Sequence, residues 1–311
     1  MSATNTLNAS NAAPATNGMN SVNPNPLNKS HATPILQLRN VTRRFGGLIA
    51  VNDVSMDIRA GSIHGLIGPN GAGKSTAFDL VSGLTALSSG TIVFDGRDIS
   101  RRPVDERVAA GICRTFQTSR LFEKMTALEV VMTGCHLHGR TGIFGSMFSV
   151  GGKMRDEMQM AERARGLLDT VGLLAEAETP VAGMSYGKRR LVEIARALAT
   201  GPKLLMLDEV ASGLNPVETE AVAQLIRRLA ADGLTIVVVE HDMRFVMSLC
   251  ERVTVLNFGV NIAEGTPAEI VSNQQVIEAY LGSPRTNATS RRELRRQHAQ
   301  AGVSAQAGVR T

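Results

Sequence analysis

The sequence predicts an α/β fold organised around a phosphate-binding loop. Residues 68–76, GPNGAGKST, fit the pattern G-x-x-x-x-G-K-[ST] without a gap. An apolar run at 63–67 precedes this loop as a buried strand would, and a segment with helical character, 76–84, follows it. Two more apolar runs, 203–207 and 235–239, end in ionisable residues. Buried strands that end in polar groups beside such a loop indicate an α/β sheet with a ligand site at one edge.

The glycine-rich loop has the residue types that a polyphosphate site needs. Gly68, Gly71 and Gly73 allow tight backbone turns, so that N–H groups point inward and meet the positive end of the following helix. Lys74 is expected to reach the β- and γ-phosphates, and the Ser75 hydroxyl to ligate Mg²⁺. The predicted nucleotide contacts in this stretch are Gly68, Pro69, Asn70, Gly71, Ala72, Gly73, Lys74, Ser75 and Thr76.

Length and charge narrow the class of protein. With 311 residues and 43% hydrophobic content, the chain is long enough for one sizeable core with a smaller subdomain folded onto it. The net charge of +5 is equalled by the stretch 283–311 alone, which holds six arginines and one acid, Glu293. The remainder is therefore neutral as a whole, and a nucleic-acid partner is not expected.

The two ends differ in composition from the residues between them. Residues 1–34 are rich in Asn, Ala, Thr and Ser and show no hydrophobic period, and 283–311 is basic, so both are expected to be disordered extensions. No apolar run approaches the ~20 residues that span a bilayer, and no signal-peptide pattern is present, so the chain is expected to stay in the cytosol. The three cysteines are few and widely separated, which indicates free thiols.

The segment before the loop is predicted to form strands. Residues 35–58 alternate apolar and polar residues as two half-buried strands do, on either side of Phe45-Gly46-Gly47. From the residues alone, Phe45 is as consistent with stacking on an adenine as with an ordinary core position. A strand at 91–94 that runs into Asp95-Gly96 predicts a β-rich appendage to the core.

The middle of the chain, about 115–200, is predicted to form a mainly helical subdomain. It contains a run with helical spacing at 154–173 and a second helix after Ser185, which is placed to act as its N-cap. That helix start, with small residues and a basic first turn, is consistent with phosphate binding or with a solvated basic face. Gln117, taken alone, is typical of a surface position.

The two late strands end in residues that are costly to bury unless they have a role. Beside a phosphate loop, Asp208 is expected to hold Mg²⁺, partly through water, and Glu209 to polarise an attacking water as general base. His241 follows the strand at 235–239, on the sheet edge where the phosphate loop is expected. The alternative for His241 is a lone histidine satisfied by its neighbours.

Taken together, these elements resemble the ATP-binding cassette of ABC transporters over about 36–282. In that resemblance 68–75 is the Walker A loop, Asp208 and Glu209 form the Walker B pair, and 213–215 is the D-loop. The signature segment is Ser185, Tyr186, Gly187 and Lys188.

The resemblance also implies roles for single residues. Phe45 would stack on the adenine, Gln117 would sense Mg²⁺ and the membrane partner, and His241 would contact the γ-phosphate. The implied catalytic residues are Lys74, Gln117, Glu209 and His241. The implied metal ligands are Ser75, Gln117 and Asp208.

Several stretches resemble the LivG type, which serves branched-chain amino acid importers. These are RTFQ at 114–117, RLF at 120–122, SYG at 185–187, GLNP at 213–216, IAEGTP at 262–267 and IEAYLG at 277–282. The chain departs from the family pattern in Lys188, where the signature usually has Gln, and in Val210, where Pro commonly follows the catalytic Glu. Both tails also lie outside the pattern.

The resemblance implies a P-loop NTPase cassette with a RecA-like core, an antiparallel β subdomain and a helical subdomain, in a domain spanning 35–282. It implies ATP hydrolysis with Mg²⁺, at the cytoplasmic face of the cell membrane. The expected partners are two integral-membrane permease subunits, a second and different cassette, and indirectly a periplasmic or extracellular solute-binding protein. The alternatives are a cassette of an envelope lipid exporter and a soluble, non-transport cassette protein. A GTPase is not expected, because the chain lacks an N-K-x-D motif.

Overall fold

The computed structural model describes residues 34–115, 124–135 and 150–281. The predicted N-terminal extension, apart from Pro34, the C-terminal tail and Gln117 lie outside these ranges. The strands are β1 Pro34–Phe45, β2 Leu48–Arg59, β3 Ile63–Ile67, β4 Ser89–Phe94, β5 Arg97–Asp98, β6 Ile112–Arg114, β7 Leu204–Asp208, β8 Thr235–Val239, β9 Arg252–Asn257 and β10 Val260–Gly265. The helices are α1 Lys74–Ser82, α2 Val104–Ala110, α3 Ala127–Cys135, α4 Val150–Thr170, α5 Tyr186–Ala199, α6 Pro216–Ala231, α7 Met243–Leu249, α8 Pro267–Ser272 and α9 Gln274–Leu281.

The strands form two sheets. The larger has the order β10-β9-β3-β8-β7-β6, and all its neighbours pair in parallel except β9 with β10. The smaller is antiparallel, with the order β2-β1-β4-β5. The predicted β appendage and the predicted α/β fold are therefore confirmed, and the first strand begins one residue before the expected start.

The central strands β3, β7 and β8 of the larger sheet are buried on both faces, which explains why they are nearly continuous apolar runs. Along β7, Leu204 and Met206 pack in one apolar cluster with α1 and the antiparallel sheet. Leu205 and Leu207 point to the opposite face and pack in a second cluster with α3 to α7. This alternation follows from the two-residue period of a strand.

The described helices of the predicted helical subdomain pack on one another. Helices α3, α4 and α5 make their contacts through buried residues such as Val131, Leu168 and Ala195. Gly134 allows α3 to approach α5 closely, because an added Cβ would lie 2.2 Å from the Arg196 carbonyl oxygen. In the part of the chain that the structure describes, no helix is long and apolar enough to cross a membrane.

Candidate nucleotide site

A cleft of about 470 Å³ opens at the carboxyl edge of the larger sheet. The phosphate loop that follows β3 supplies one part of its wall. The strands on either side of β3 are β9 and β8, so segments that follow these strands flank the loop on opposite sides. The cleft is lined by Leu48, Ile49, Ala50, Asn70, Gly71, Ala72, Gly73, Lys74, Ser75, Thr76, Glu209, Val239, His241 and Phe258.

Two glycines of the loop are required by close backbone approach. A Cβ on Gly68 would lie 2.1 Å from the Leu256 carbonyl oxygen, and a Cβ on Gly73 would lie 2.5 Å from that of Ala50. Both have left-handed φ values, of 154° and 100°. Gly73 is also the N-cap of α1 and has no side chain to bond the first-turn N–H groups. These donors, which have no acceptor inside the helix, therefore suit an anion in the cleft.

Lys74 is held against the loop that precedes it. Its Nζ donates to the carbonyl oxygens of Gly68 at 2.7 Å and Pro69 at 3.1 Å. Burial lowers the pKa of Lys74, and the nearby carboxylates of Glu209 and Asp208 act in the opposite direction. The lysine is thus a buried cation that lies against the loop, and its contact with the β- and γ-phosphates stays a prediction.

Asp208 ends β7 and is paired with a cation. Its Oδ2 accepts from Nη2 of Arg114 at 2.7 Å, and Nη1 of the same guanidinium donates to Oδ1 of Asp79 on α1 at 2.5 Å. Asp208 is not among the residues that line the cleft. The Asp208 carboxylate and the Ser75 hydroxyl offer oxygen donors of the kind that Mg²⁺ takes, and Ser75 lines the cleft. The residues present therefore fit the metal.

Glu209 and His241 are brought together at the cleft. His241 Nε2 lies 2.7 Å from Glu209 Oε1, and both residues line the cleft. Glu209 has a left-handed φ of 50°, and its N–H donates to the Val239 carbonyl at 2.9 Å. A glutamate in this conformation is strained, and such strain persists where the surroundings fix it. His241 thus has Glu209 as a neighbour at the cleft, and its contact with the γ-phosphate stays a prediction.

Sequence reasoning missed two residues that support this edge. In the sequence, Arg114 has no signal beyond its place in RTFQ. Its contacts to Asp79 and Asp208 join positions that are far apart in the chain. Glu240 is 2% exposed, and its Oε1 accepts from the Ala211 N–H at 2.6 Å. Burial raises the pKa of Glu240, while N–H donors from Ala211 and His241 act against this. A buried acid at the end of an apolar strand was the available signal.

The segment 185–188 lies outside the cleft. Ser185 is the N-cap of α5, as predicted, and accepts from the Lys188 N–H at 3.3 Å. Lys188 Nζ lies 2.5 Å from Glu176 Oε1, and the Tyr186 hydroxyl accepts from Arg190 at 2.7 Å. Gly187 lies against α6, where an added Cβ would meet the Glu218 carboxylate at 2.5 Å. The structure therefore does not bring these four residues to the phosphate loop of their own chain.

Phe45 is likewise absent from the residues that line the cleft. It ends β1, is paired with Leu48 across the turn, and carries the Arg43 guanidinium over its ring at 4.3 Å from the centroid. Leu48 does line the cleft, so Phe45 lies beside its rim.

Comparison with protein families and curated relatives places this arrangement in a known group. The family described as ABC transporter matches residues 51–212, and the family described as branched-chain amino acid ATP-binding cassette transporter matches 260–285. The chain is 41% identical over 250 residues to the high-affinity branched-chain amino acid transport ATP-binding protein LivG of Salmonella typhimurium, covering 80% of this chain and 98% of that protein. It is 40% identical over 250 residues to the corresponding protein BraF of Pseudomonas aeruginosa, with the same coverage of 80% and 98%.

A solved structure shows the same fold. The ADP conformation of MJ1267, an ATP-binding cassette of an ABC transporter, is 30% identical, superposes with a TM-score of 0.72 and matches 81% of this chain and 100% of that one. The chain thus belongs to the ATP-binding cassettes of ABC transporters, in the branched-chain amino acid group that includes LivG and BraF.

Proposed function

We propose that this ABC ATPase powers the import of branched-chain amino acids and that the cleft at the phosphate loop is where it hydrolyses ATP. The observation that carries the site assignment is the 2.7 Å contact between Glu209 and His241, beside the helix start that binds phosphate. The solute is inferred from the relatives, whose names give branched-chain amino acid transport. The family match at 260–285 favours this solute over the envelope lipid of the alternative exporter.

In the proposed reaction, the loop N–H groups and Lys74 bind the phosphates through 68–76. Glu209 accepts the proton of the attacking water and orients it, and His241 holds the Glu209 carboxylate and contacts the γ-phosphate. Electrostatic stabilisation comes from donors that are already in place, so little reorganisation is needed at the moment of reaction. A bound Mg²⁺ would neutralise charge that develops on the phosphate oxygens, and Ser75, Asp208 and Gln117 are its proposed ligands.

The proposed complex has more than one subunit. Because Ser185 and Gly187 lie away from the cleft of their own chain, we infer that they complete the ATP site of a facing cassette. The facing cassette is proposed to be a related but different chain, because Lys188 departs from the usual signature residue. The pair would sit on two permease subunits at the cytoplasmic face of the membrane, served by a solute-binding protein on the other side.

Reconstituted transport tests this function. The complex, purified through a tag on this chain, is placed in liposomes with its solute-binding protein, and ATP-driven uptake of leucine is compared with that of urea, aliphatic amides and aromatic acids. Leucine uptake is expected, and it should stop when this chain carries Glu209→Gln. ATP-driven uptake of one of the other solutes, without leucine, would contradict the proposed solute.

A further inference from the structure

The turn between β9 and β10 places an aromatic side chain at the cleft. Asn257 and Val260 close a two-residue hairpin whose central residues are Phe258 and Gly259. The hairpin is tied to the site by two backbone bonds: Gly259 N–H donates to the Ala72 carbonyl at 2.9 Å, and Asn52 N–H donates to the Gly259 carbonyl at 2.8 Å. Phe258 is 84% exposed and lines the cleft.

Phe258 has a backbone conformation that is unfavourable for its residue type. Its φ is 47° and that of Gly259 is 79°, which is the pattern of a type I′ turn. Asn or Asp is the usual first residue of that turn, because a bulky side chain is strained at positive φ. Phe258 carries two unfavourable terms, the strain of its backbone and the exposure of its apolar ring to water. Unfavourable terms of this kind are concentrated at functional positions.

A comparison within the chain separates Phe258 from ordinary turn residues. Among the described residues, five that are not glycine have a positive φ, and three of them are of the tolerant types, Asn40, Asp53 and Asp95. The other two are Glu209 and Phe258, and both line the same cleft. The two residues with unfavourable backbone conformations therefore lie at the same candidate ligand site.

The sheet order places Phe258 and His241 on opposite sides of the phosphate loop. The phosphate loop follows β3, Phe258 follows β9 on one side of β3, and His241 follows β8 on the other side. If the terminal phosphate lies at Glu209 and His241, the base must lie on the β9 side. The cleft is also lined by the apolar residues Leu48 and Ile49 of β2, and that strand is bonded to the hairpin through Asn52 N–H and the Gly259 carbonyl.

We propose that Phe258 is a base-binding residue, whose ring packs on the adenine of ATP with Leu48 beside it. This inference rests on the proposed nucleotide site and adds the recognition of the base to it. A ring that is exposed to water gains apolar contact when the base is bound, which gives an exposed phenylalanine a role at a turn that favours asparagine.

Binding to the full chain tests the proposal, with ATP and inorganic tripolyphosphate as probes in calorimetry. Phe258→Ala should weaken ATP binding about tenfold, which corresponds to about 1.4 kcal/mol, and leave tripolyphosphate binding within about twofold. Val260→Ala is the matched control, because Val260 is an exposed apolar residue of the same hairpin that does not line the cleft. It should bind both probes as the wild type does.

A second variant separates a binding role from a structural one. Phe258→Asn places the preferred residue in the turn, so it should raise the thermal midpoint of unfolding while it weakens ATP binding. The chain contains no tryptophan, so Phe258→Trp introduces a single reporter. Its fluorescence should be quenched by ATP and unchanged by tripolyphosphate, and Val260→Trp should respond to neither.

Two outcomes overturn the proposal and leave the nucleotide site standing. In the first, Phe258→Ala binds ATP within about twofold of wild type while Lys74→Ala binds it poorly. In the second, Phe45→Ala weakens ATP binding about tenfold and Phe258→Ala does not, which places the base on Phe45. If Lys74→Ala also binds both probes normally, the nucleotide site itself is wrong.

Discussion

The cleft and the segment 185–188 contrast in what they can do within one chain. The cleft brings together a phosphate loop, a buried lysine and the Glu209–His241 pair. The segment 185–188 has a capped helix start with Ser185 and Gly187, but its polar groups bond residues of its own neighbourhood and lie outside the cleft. We propose that the cleft binds and activates the nucleotide, and that the segment 185–188 contributes to the site of a facing cassette.

This difference has a physical consequence. The charge that develops during phosphoryl transfer needs donors around the whole γ-phosphate. Ser185 and Gly187 are not among the residues that line the cleft of their own chain. If the cleft of one chain and the segment 185–188 of another form one ATP site, hydrolysis would require the two chains to associate. Variants of each region test the two regions separately.

Glu209→Gln tests the cleft alone. The amide keeps the size of the side chain but has no basicity, so ATP turnover by the assembled complex should fall ~10²–10⁴-fold. ATP binding should persist, because the phosphate loop is unchanged. Phosphate release and equilibrium ATP binding measure the two effects, and turnover within about twofold of wild type would remove Glu209 from the role of base.

Ser185→Gly tests the segment alone. Glycine is a tolerable N-cap, so helix α5 should lose only about 0.5 kcal/mol of stability while the hydroxyl is removed. Turnover by the complex should fall about 10²-fold, as for loss of one preorganised donor. ATP binding by the isolated chain should not change. A loss of ATP binding in the isolated chain would mean that Ser185 belongs to the cleft of its own chain and not to that of a facing cassette.

Arg114→Gln tests the support beneath the cleft. Arg114 is 10% exposed and Asp208 is 17% exposed, so removal of the guanidinium leaves a largely buried carboxylate without that partner. The free energy of unfolding should fall by on the order of 2 kcal/mol, as for a hydrogen bond to a charged group. Asp79→Asn is the matched control, because Asp79 bonds the same guanidinium but is 35% exposed, and its effect should be smaller. Chemical denaturation measures both, and equal losses would show that the pair with Asp208 has no special weight.

Lys188→Gln should have the smallest effect. It restores the usual signature residue and removes a contact to Glu176 between two partly exposed side chains, which is worth at most about 1 kcal/mol. The thermal midpoint should therefore change little. Turnover of the complex decides whether Lys188 is adapted to its partner: a fall supports adaptation to one opposing site, and an unchanged rate removes this argument for a different partner cassette.

Much of the fold was predictable because its signals are local. The phosphate loop is one contiguous stretch, and strands such as β3 and β8 coincide with their apolar runs. Pairings across long separations left no local signal: Arg114 meets Asp208 94 positions later, and Glu240 meets Ala211 29 positions earlier. The strain at Phe258 follows from the geometry of the turn between β9 and β10, which the sequence suggests only weakly.

We propose that this chain holds only part of an ATP site and needs a different cassette to complete it. The most direct measurement compares ATP hydrolysis and dimerisation of the isolated full chain with hydrolysis by the complex that contains the second cassette and both permeases. The isolated chain should remain a monomer with ATP and hydrolyse it at least about tenfold more slowly than the complex. Dimerisation of the isolated chain on ATP, with hydrolysis as fast as that of the complex, would contradict the claim.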